Sequence, residues 1–392
     1  MTEPLVAPGP PLAPARLARF SRQLMLPGFG ELAQRRLQAA RVLVVGAGGL
    51  GSAVVPALAG SGVGTIGIAD FDTVELSNLP RQQSHGVADL GRPKVDSLAE
   101  TVAANDPECR VVRHRERLTA ANLRGILDDY DLIVDGSDNF PTRYLTNDAA
   151  HLAGKPLVWG AILRFHGQLG VAWRGQGPGY RDLFPVPPAP GEVPSCELGG
   201  VLPTLCLMVG ALMANEVVKL VTGVGDPLLG RVLSLDALTS RTREIPYSAI
   251  ADAEEITDLI DYEVFCGLES AASRETGADA TAPASHGDPA PISAAELLRR
   301  VRAAEPVRLL DVREPSEAAL LRIDGSTLLP LGELLAGAEP PAGEGPIVVY
   351  CEVGMRSQRA ARELARRGYA GVASLDGGIQ RLAGVAAELV VR

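Results

Sequence analysis

Two short stretches of this chain hold residues whose types and spacing could do chemistry. The first is Gly46-Ala-Gly48-Gly49-Leu-Gly51, which directly follows the apolar run Arg41–Val45, while a second apolar run ends at Asp70. Glycines at this spacing let backbone N–H groups approach a phosphate at a helix N-terminus, and a carboxylate about 20 residues on takes ribose hydroxyls. Alone, the pattern indicates only a nucleotide, and its commonest owner is an NAD-dependent dehydrogenase. The residues that follow move the reading. They are Asp72, then Ser77-Asn78-Leu-Pro-Arg81-Gln, then Arg92-Pro-Lys94, then Asp135-Gly-Ser-Asp138-Asn139. A hydride-transfer site wants few cations, whereas Arg81 and Lys94 could neutralise a triphosphate and Asp138 could hold Mg²⁺. Singly, Arg81 and Lys94 read equally well as surface charges, and Asp138 as a strand-end cap.

The second stretch is Cys351-Glu-Val-Gly-Met-Arg356-Ser, which follows the apolar run Ile347–Tyr350 and precedes a helix expected near Gln358. Amides of a loop wrapped round a helix N-terminus, together with Arg356, would stabilise a thiolate or persulfide. Cysteine phosphatases place five residues between cysteine and arginine. Here there are four, a tighter loop suited to one terminal sulfur. A buried, inert Cys351 is the plain alternative. Cys206, inside an apolar helix, and Cys109, at a strand edge, read as core or surface residues.

The elements that must position these groups form an α/β chain with more than one core, since 392 residues exceed the ~100–200 of a typical domain. Residues 1–15 are Pro-rich with little to bury, so a mobile tail is expected. From 41 to about 175, short apolar strands alternate with helical segments, the pattern of a doubly wound Rossmann-like sheet. A Gly/Pro-rich loop (175–198) and a helix near 205–221 follow. Residues 270–291 are small, polar and Pro-containing, as a flexible linker would be, and 292–392 alternate again as a smaller α/β domain. The first domain is placed at 16–269. Hydrophobic content of 46% and charged content of 21% exclude wholesale disorder, and a net charge of −10 argues against nucleic acid as a main partner. Five cysteines and no secretion signal point to a reducing cytoplasm. The uncharged run 198–214 contains Pro203 and is short of the ~20 residues of a membrane span, so it reads as a buried or interfacial helix, with no membrane partner.

Taken together, these residues resemble the ThiF/MoeB family of ubiquitin-activating-type adenylyltransferases, whose signature runs GxGGLG, DxDxVxxSNLxRQ, PK and DxxDN. The resemblance spans about 16–267. It implies that Gly46, Gly48, Gly49, Gly51, Asp70, Asp72, Ser77, Asn78, Arg81, Lys94, Asp138 and Asn139 hold ATP, with Asp138 on magnesium. It also implies a homodimer in which Arg22 reaches the neighbouring subunit's nucleotide. The implied reaction is adenylation of the C-terminal carboxylate of a ubiquitin-like sulfur-carrier protein ending in Gly-Gly.

With Asp311-Val-Arg-Glu-Pro and Gly377-Gly378-Ile379 around Cys351 and Arg356, residues 292–392 resemble a rhodanese. The implication is a persulfide on Cys351, charged by a donor such as a cysteine desulfurase or thiosulfate, that converts the carrier to a thiocarboxylate. Leu382 in place of a common Trp, and Arg322-Ile-Asp-Gly in place of HIPG, are departures expected to relax packing. Cys196 matches a loop cysteine that some relatives use for a thioester or disulfide intermediate. The structural zinc often bound through two C-x-x-C pairs is not expected, because those pairs fall on Gly179–Asp182 and Glu263–Cys266, leaving one ligand of four. The same departure resembles the two-domain MoeZ-type group. Two rival readings stay open: a dehydrogenase fused to a redox sensor, and a non-catalytic carrier-binding scaffold, against which the intact Cys351 and Arg356 argue.

Overall fold

The computed structural model describes residues 3–188, 199–253, 255–267, 289–352 and 354–391. The chain divides into two units, residues 1–275 and 276–392. In the first, β1 (Arg41–Val45), β2 (Thr65–Ala69), β3 (Arg110–His114), β4 (Leu132–Asp135), β5 (Leu157–Leu163), β6 (His166–Ala172), β7 (Arg231–Asp236) and β8 (Arg241–Pro246) form one sheet in the order β3-β2-β1-β4-β5-β6-β7-β8. The strands from β3 through β5 are parallel, and β6 to β8 extend the sheet as an antiparallel meander. β1 shows why the core closes. Val42 and Val44 enter one apolar cluster and Leu43 and Val45 the other, so both faces are covered, as a parallel strand requires.

Two expectations are corrected here. The N-terminal segment is not a free tail, because Val6 and Leu12 are buried and Leu5 N–H donates to Leu220 O at 2.9 Å. Arg35 Nε donates to Gly9 O at 2.8 Å, and Gly9 N–H returns to Arg35 O at 3.2 Å. A few apolar side chains suffice because the prolines between them leave little backbone entropy to lose. The long helix begins at Pro203 and ends at Thr222, where Gly223 adopts φ 73°. Proline is at home in a first helical turn, where an N–H would have no intrahelical acceptor anyway, so Pro203 opens this helix. It is the one helix among the described residues long and apolar enough to cross a membrane. Its Leu205, Val209, Met213, Val217 and Leu220 are nevertheless buried in the protein core, beside β5, β6 and the helix Gly51–Ser61.

In the second unit, β9 (Pro291–Ile292), β10 (Arg308–Asp311), β12 (Thr327–Leu328), β13 (Ile347–Tyr350) and β14 (Val372–Leu375) form a parallel sheet in the order β12-β10-β13-β14-β9. The strand β11 (Arg322–Ile323) pairs with β15 (Val390–Val391). The helix after Cys351 runs Met355–Arg366, earlier than Gln358, because Gly354 makes the left-handed turn (φ 104°) that starts it. The expected looseness at 322–325 and Leu382 is absent. Ile323 and Leu382 are fully buried in one cluster with Ile379 and Leu375.

Candidate functional site

The first site forms where the strand order reverses. The chain leaves β1 toward β2 and β3, then returns on the other side as β4, which opens a crevice at the carboxyl ends of β1 and β4. The loops leaving these two strands touch: a Cβ on Gly46 (φ 88°) would lie 3.2 Å from Gly136 O, and one on Gly51 would lie 1.8 Å from Gly46 O. Glycine at both positions is a steric requirement. Gly48 and Gly49 N–H groups find no backbone acceptor among the described residues, and they head the 11-residue helix Gly51–Ser61. Such an end attracts anions.

Around this loop the structure gathers most of the residues singled out from the sequence. Asp70 accepts from Ala47 N–H at 2.7 Å and Asp72 N–H at 2.8 Å. Burial pushes its carboxyl above the usual range, and Lys94 and the two N–H bonds pull partly against this. Lys94 is buried and donates to Asp72 Oδ2 at 2.8 Å, a pair that phosphates would compete for. Arg81 donates to Ser77 O at 2.8 Å, and its side-chain stem lies beside Gly49. Asn78 is buried and caps its own turn by accepting from Glu75 N–H at 3.1 Å. Asp138 is exposed just beyond β4. Asn139 takes a local role, accepting from Thr142 N–H at 3.0 Å as the cap of the helix Phe140–Ala153. Arg22 stands exposed on the short helix Ser21–Leu24, with Met25 and Leu26 exposed beside it.

Sequence reasoning missed two supports of this loop. His85 is buried against Ala47 O at 3.1 Å, and Gln82 is buried with its Oε1 unpartnered. Both follow the Ser77–Arg81 segment, but no pattern in the sequence shows that this segment folds back under the glycines.

The second site lies at the end of β13. Cys351 is fully buried, and its Sγ accepts from Gly354 N–H at 3.1 Å and Ser357 N–H at 3.4 Å, with Ser357 Oγ at 3.6 Å. These amides make the expected cradle. Arg356 does not join it by a direct bond to the sulfur. Its guanidinium is held by Glu317 at 2.8 and 2.5 Å and acts on the sulfur only through space. Burial works against the Glu317 carboxylate, but the Arg356 hydrogen bonds, its own bond to Glu314 N–H and the charges of Arg356 and Arg313 together hold it below its ordinary value. Behind the loop, Arg313 is fully buried and bonds Asp311, Glu352 and Leu321 O, tying the loop's second residue to β10. The Gly377-Gly378 turn presses on the back of the loop. A Cβ on Gly378 would lie 2.3 Å from Glu352 O, and Ile379 N–H donates to Cys351 O at 2.9 Å. Neither Glu317 nor Arg313 was legible as a partner, since each bond spans 39 residues.

Around 179–182 and 263–266, where the resemblance would place zinc ligands, the structure holds an ion pair and ring contacts. Asp148, fully buried, accepts from Arg181 at 2.9 and 2.5 Å and from the Tyr262 hydroxyl at 2.7 Å. Arg181 also covers the Phe265 ring at 4.7 Å. The lone Cys266 thiol is pushed up to about 11 by burial. One buried thiol beside an arginine does not fit a tetrahedral zinc site, and among the described residues no three His, Cys, Asp or Glu side chains group as metal ligands. Cys196 lies outside the described residues.

A Rossmann-like nucleotide crevice and a cysteine cradled by amides in a small parallel α/β unit define a two-domain transferase. The sequence matches the ThiF family over residues 20–254 and the rhodanese-like domain over 293–384. It is 45% identical over 383 residues to "Probable adenylyltransferase/sulfurtransferase MoeZ" of Mycobacterium tuberculosis, covering 96% of this chain and 95% of that protein. It is 40% identical over 386 residues to "Adenylyltransferase and sulfurtransferase MOCS3" of Bos taurus, covering 92% and 84%. The "Sulfur carrier protein adenylyltransferase" of Thermus thermophilus is 47% identical over 263 residues, 64% of this chain and 97% of that one. Among solved structures, Escherichia coli MccB with MccA-N7isoASN superposes with a TM-score of 0.54 at 20% identity, over 61% of this chain and 75% of that chain, a likeness of fold. The chain belongs to the ThiF family and carries a rhodanese-like domain. It is an enzyme, an adenylyltransferase and sulfurtransferase that uses ATP.

Proposed function

We propose that this enzyme joins AMP to the C-terminal carboxylate of a ubiquitin-like sulfur-carrier protein ending in Gly-Gly and then replaces that AMP with sulfur from Cys351. The carboxylate oxygen attacks the α-phosphate of ATP and pyrophosphate leaves. The glycine-loop amides, Arg81 and Lys94 offset the growing charge. Magnesium fits this site, since it is commonly held by one or two carboxylates plus the nucleotide's own phosphates, and Asp138 is an exposed carboxylate at the mouth of the crevice. It would neutralise phosphate charge there.

In the second half-reaction the terminal sulfur of a Cys351 persulfide attacks the acyl-adenylate carbonyl and AMP leaves, giving an acyl disulfide. A thiol, for which Cys196 is the candidate that the sequence offers, then attacks the Cys351 sulfur of this disulfide, so that the thiocarboxylate leaves and a Cys196–Cys351 disulfide forms, which a dithiol reductant returns to two thiols. A persulfide donor, such as a cysteine desulfurase, or thiosulfate recharges Cys351. A reducing compartment such as the cytoplasm suits this chemistry. The exposed Arg22, with Met25 and Leu26, supports a homodimer in which Arg22 serves the partner's nucleotide.

The observation that carries this reading is the pairing, in one chain, of a phosphate-type glycine loop with a sulfur atom cradled by two amides. The test is pyrophosphate exchange into ATP, expected only with a Gly-Gly-ended carrier and Mg²⁺, followed by mass spectrometry of the carrier for one oxygen replaced by sulfur. Exchange without a carrier, or a NAD requirement, would refute it.

A further inference from the structure

His85 is the buried group at the nucleotide crevice to which the proposed reaction gives no part. It is 5% exposed, with Nε2 3.1 Å from Ala47 O and Nδ1 2.9 Å from Ser97 Oγ, a hydroxyl that also serves Asp89. A carbonyl only accepts, so Nε2 carries the proton in this bond. Ala47 N–H is taken by Asp70 Oδ2 at 2.7 Å, so residue 47 is held at both ends of its backbone.

The consequence follows from peptide geometry. In a planar trans peptide the C=O and N–H point in opposite directions. Turning Ala47 C=O to His85 therefore turns Gly48 N–H away from His85. That N–H is one of the two at the head of the helix Gly51–Ser61 with no backbone acceptor among the described residues. Two neighbours of His85 brace the same loop. Ser84 Oγ donates to Ser52 O at 2.6 Å. Gln82 Nε2 lies 3.7 Å from where a Gly48 Cβ would stand, while Gln82 Oε1, on a 3% exposed side chain, has no partner. Of the two Gln82 side-chain atoms it is therefore Nε2, a donor like the Gly48 N–H, that lies toward the glycine loop.

We infer that His85 is a positioning residue for adenylation: its Nε2–H···O bond to Ala47 fixes the peptide plane that presents Gly48 N–H to the nucleotide phosphates. The inference rests on the proposed nucleotide site and adds to it a residue that touches no substrate. The test uses the full-length protein with His85→Leu, which keeps bulk but no donor, and His85→Gln, which keeps an N–H of similar reach. The ATP Kd by calorimetry and the ATP KM in pyrophosphate exchange should rise about tenfold in His85→Leu, the loss of roughly one buried hydrogen bond. kcat and the carrier KM should move much less, and His85→Gln should recover most of the loss.

An unchanged ATP Kd in folded His85→Leu, or a His85→Gln as impaired as the leucine variant, overturns the inference. Should His85→Leu not fold, His85→Ala decides: added imidazole lowering its ATP Kd supports the inference, and no response overturns it. A wild type that binds ATP without exchanging pyrophosphate defeats the proposed reaction, while the Kd series still decides for or against His85. A wild type that binds no ATP defeats both.

Discussion

The glycines of the nucleotide loop differ in what surrounds them, and this orders the effects of substitution. Gly51 faces Gly46 O at 1.8 Å from a would-be Cβ, and a backbone carbonyl in a packed turn cannot move aside. Gly51→Ala should abolish ATP binding. Gly49 instead faces the Cys206 thiol, 2.9 Å from its would-be Cβ. Gly49→Ala should weaken ATP binding, and Gly49→Ala with Cys206→Ala should recover part of it, because the second change frees the space the first needs. Calorimetric ATP Kd values for both singles and the double check this, and simple additivity would refute it. The histidines make a second prediction at this scale. Burial pushes His85, His114 and His151 below the usual imidazole value of about 6.5, so the unfolded chain binds more protons as pH falls. Their contribution to stability is complete above that value and is lost as pH falls from it through the lowered values of the folded chain. Denaturant midpoints for the first unit measured from pH 8 to 5 should decline most steeply below about 6.5, with a smaller decline in a triple His→Gln variant.

At the scale of elements, the helices Tyr180–Leu183 and Tyr262–Phe265 are pinned together through one carboxylate. It belongs to Asp148, fully buried and bonded by Arg181 and Tyr262. Asp148→Ala leaves a half-buried guanidinium and a buried hydroxyl without their acceptor. We expect a loss of roughly 3 kcal/mol, the lower end for a broken buried pair because the Arg181 side chain is a quarter exposed. Urea denaturation should show this loss, and chelators should leave the wild-type midpoint unmoved. About one zinc per chain by elemental analysis would overturn the expectation that this chain binds no structural zinc. This pin also shows what could be read from sequence. Missing ligands at 179–182 and 263–266 are local facts and were legible, as were the glycine loop, the Cys351 spacing and the alternation of strands and helices. Asp148 was not, because nothing near it in the chain marks it as the partner of residues 33 and 114 positions away. The same reason hid His85 and Glu317. It also concealed the docking of the N-terminal strap, which bonds Leu220 through Leu5 and Arg35 through Gly9.

At the scale of the whole molecule, the question is how two chemistries in one chain depend on each other. Adenylation precedes sulfur entry, so Cys351→Ala should leave carrier-dependent pyrophosphate exchange nearly intact while thiocarboxylate formation falls to the slow rate supported by free sulfide. We propose that residues 270–291, whose composition reads as a linker, tether the two units; a random coil of that length would span ~25 Å and set an effective concentration of roughly millimolar for one site at the other. Cleavage at a protease site introduced within 270–291 should therefore preserve pyrophosphate exchange and thiosulfate-dependent persulfide formation on Cys351, yet slow thiocarboxylate formation at micromolar protein. Raising the concentration of the separated second unit toward millimolar should restore the rate, since a tether supplies only encounter frequency. Full-rate thiocarboxylate formation by the dilute, cut protein would show that the units hold together without the tether. Full-rate formation by Cys351→Ala with a protein persulfide donor would remove Cys351 from the sulfur path and leave Cys196 as the residue to test next.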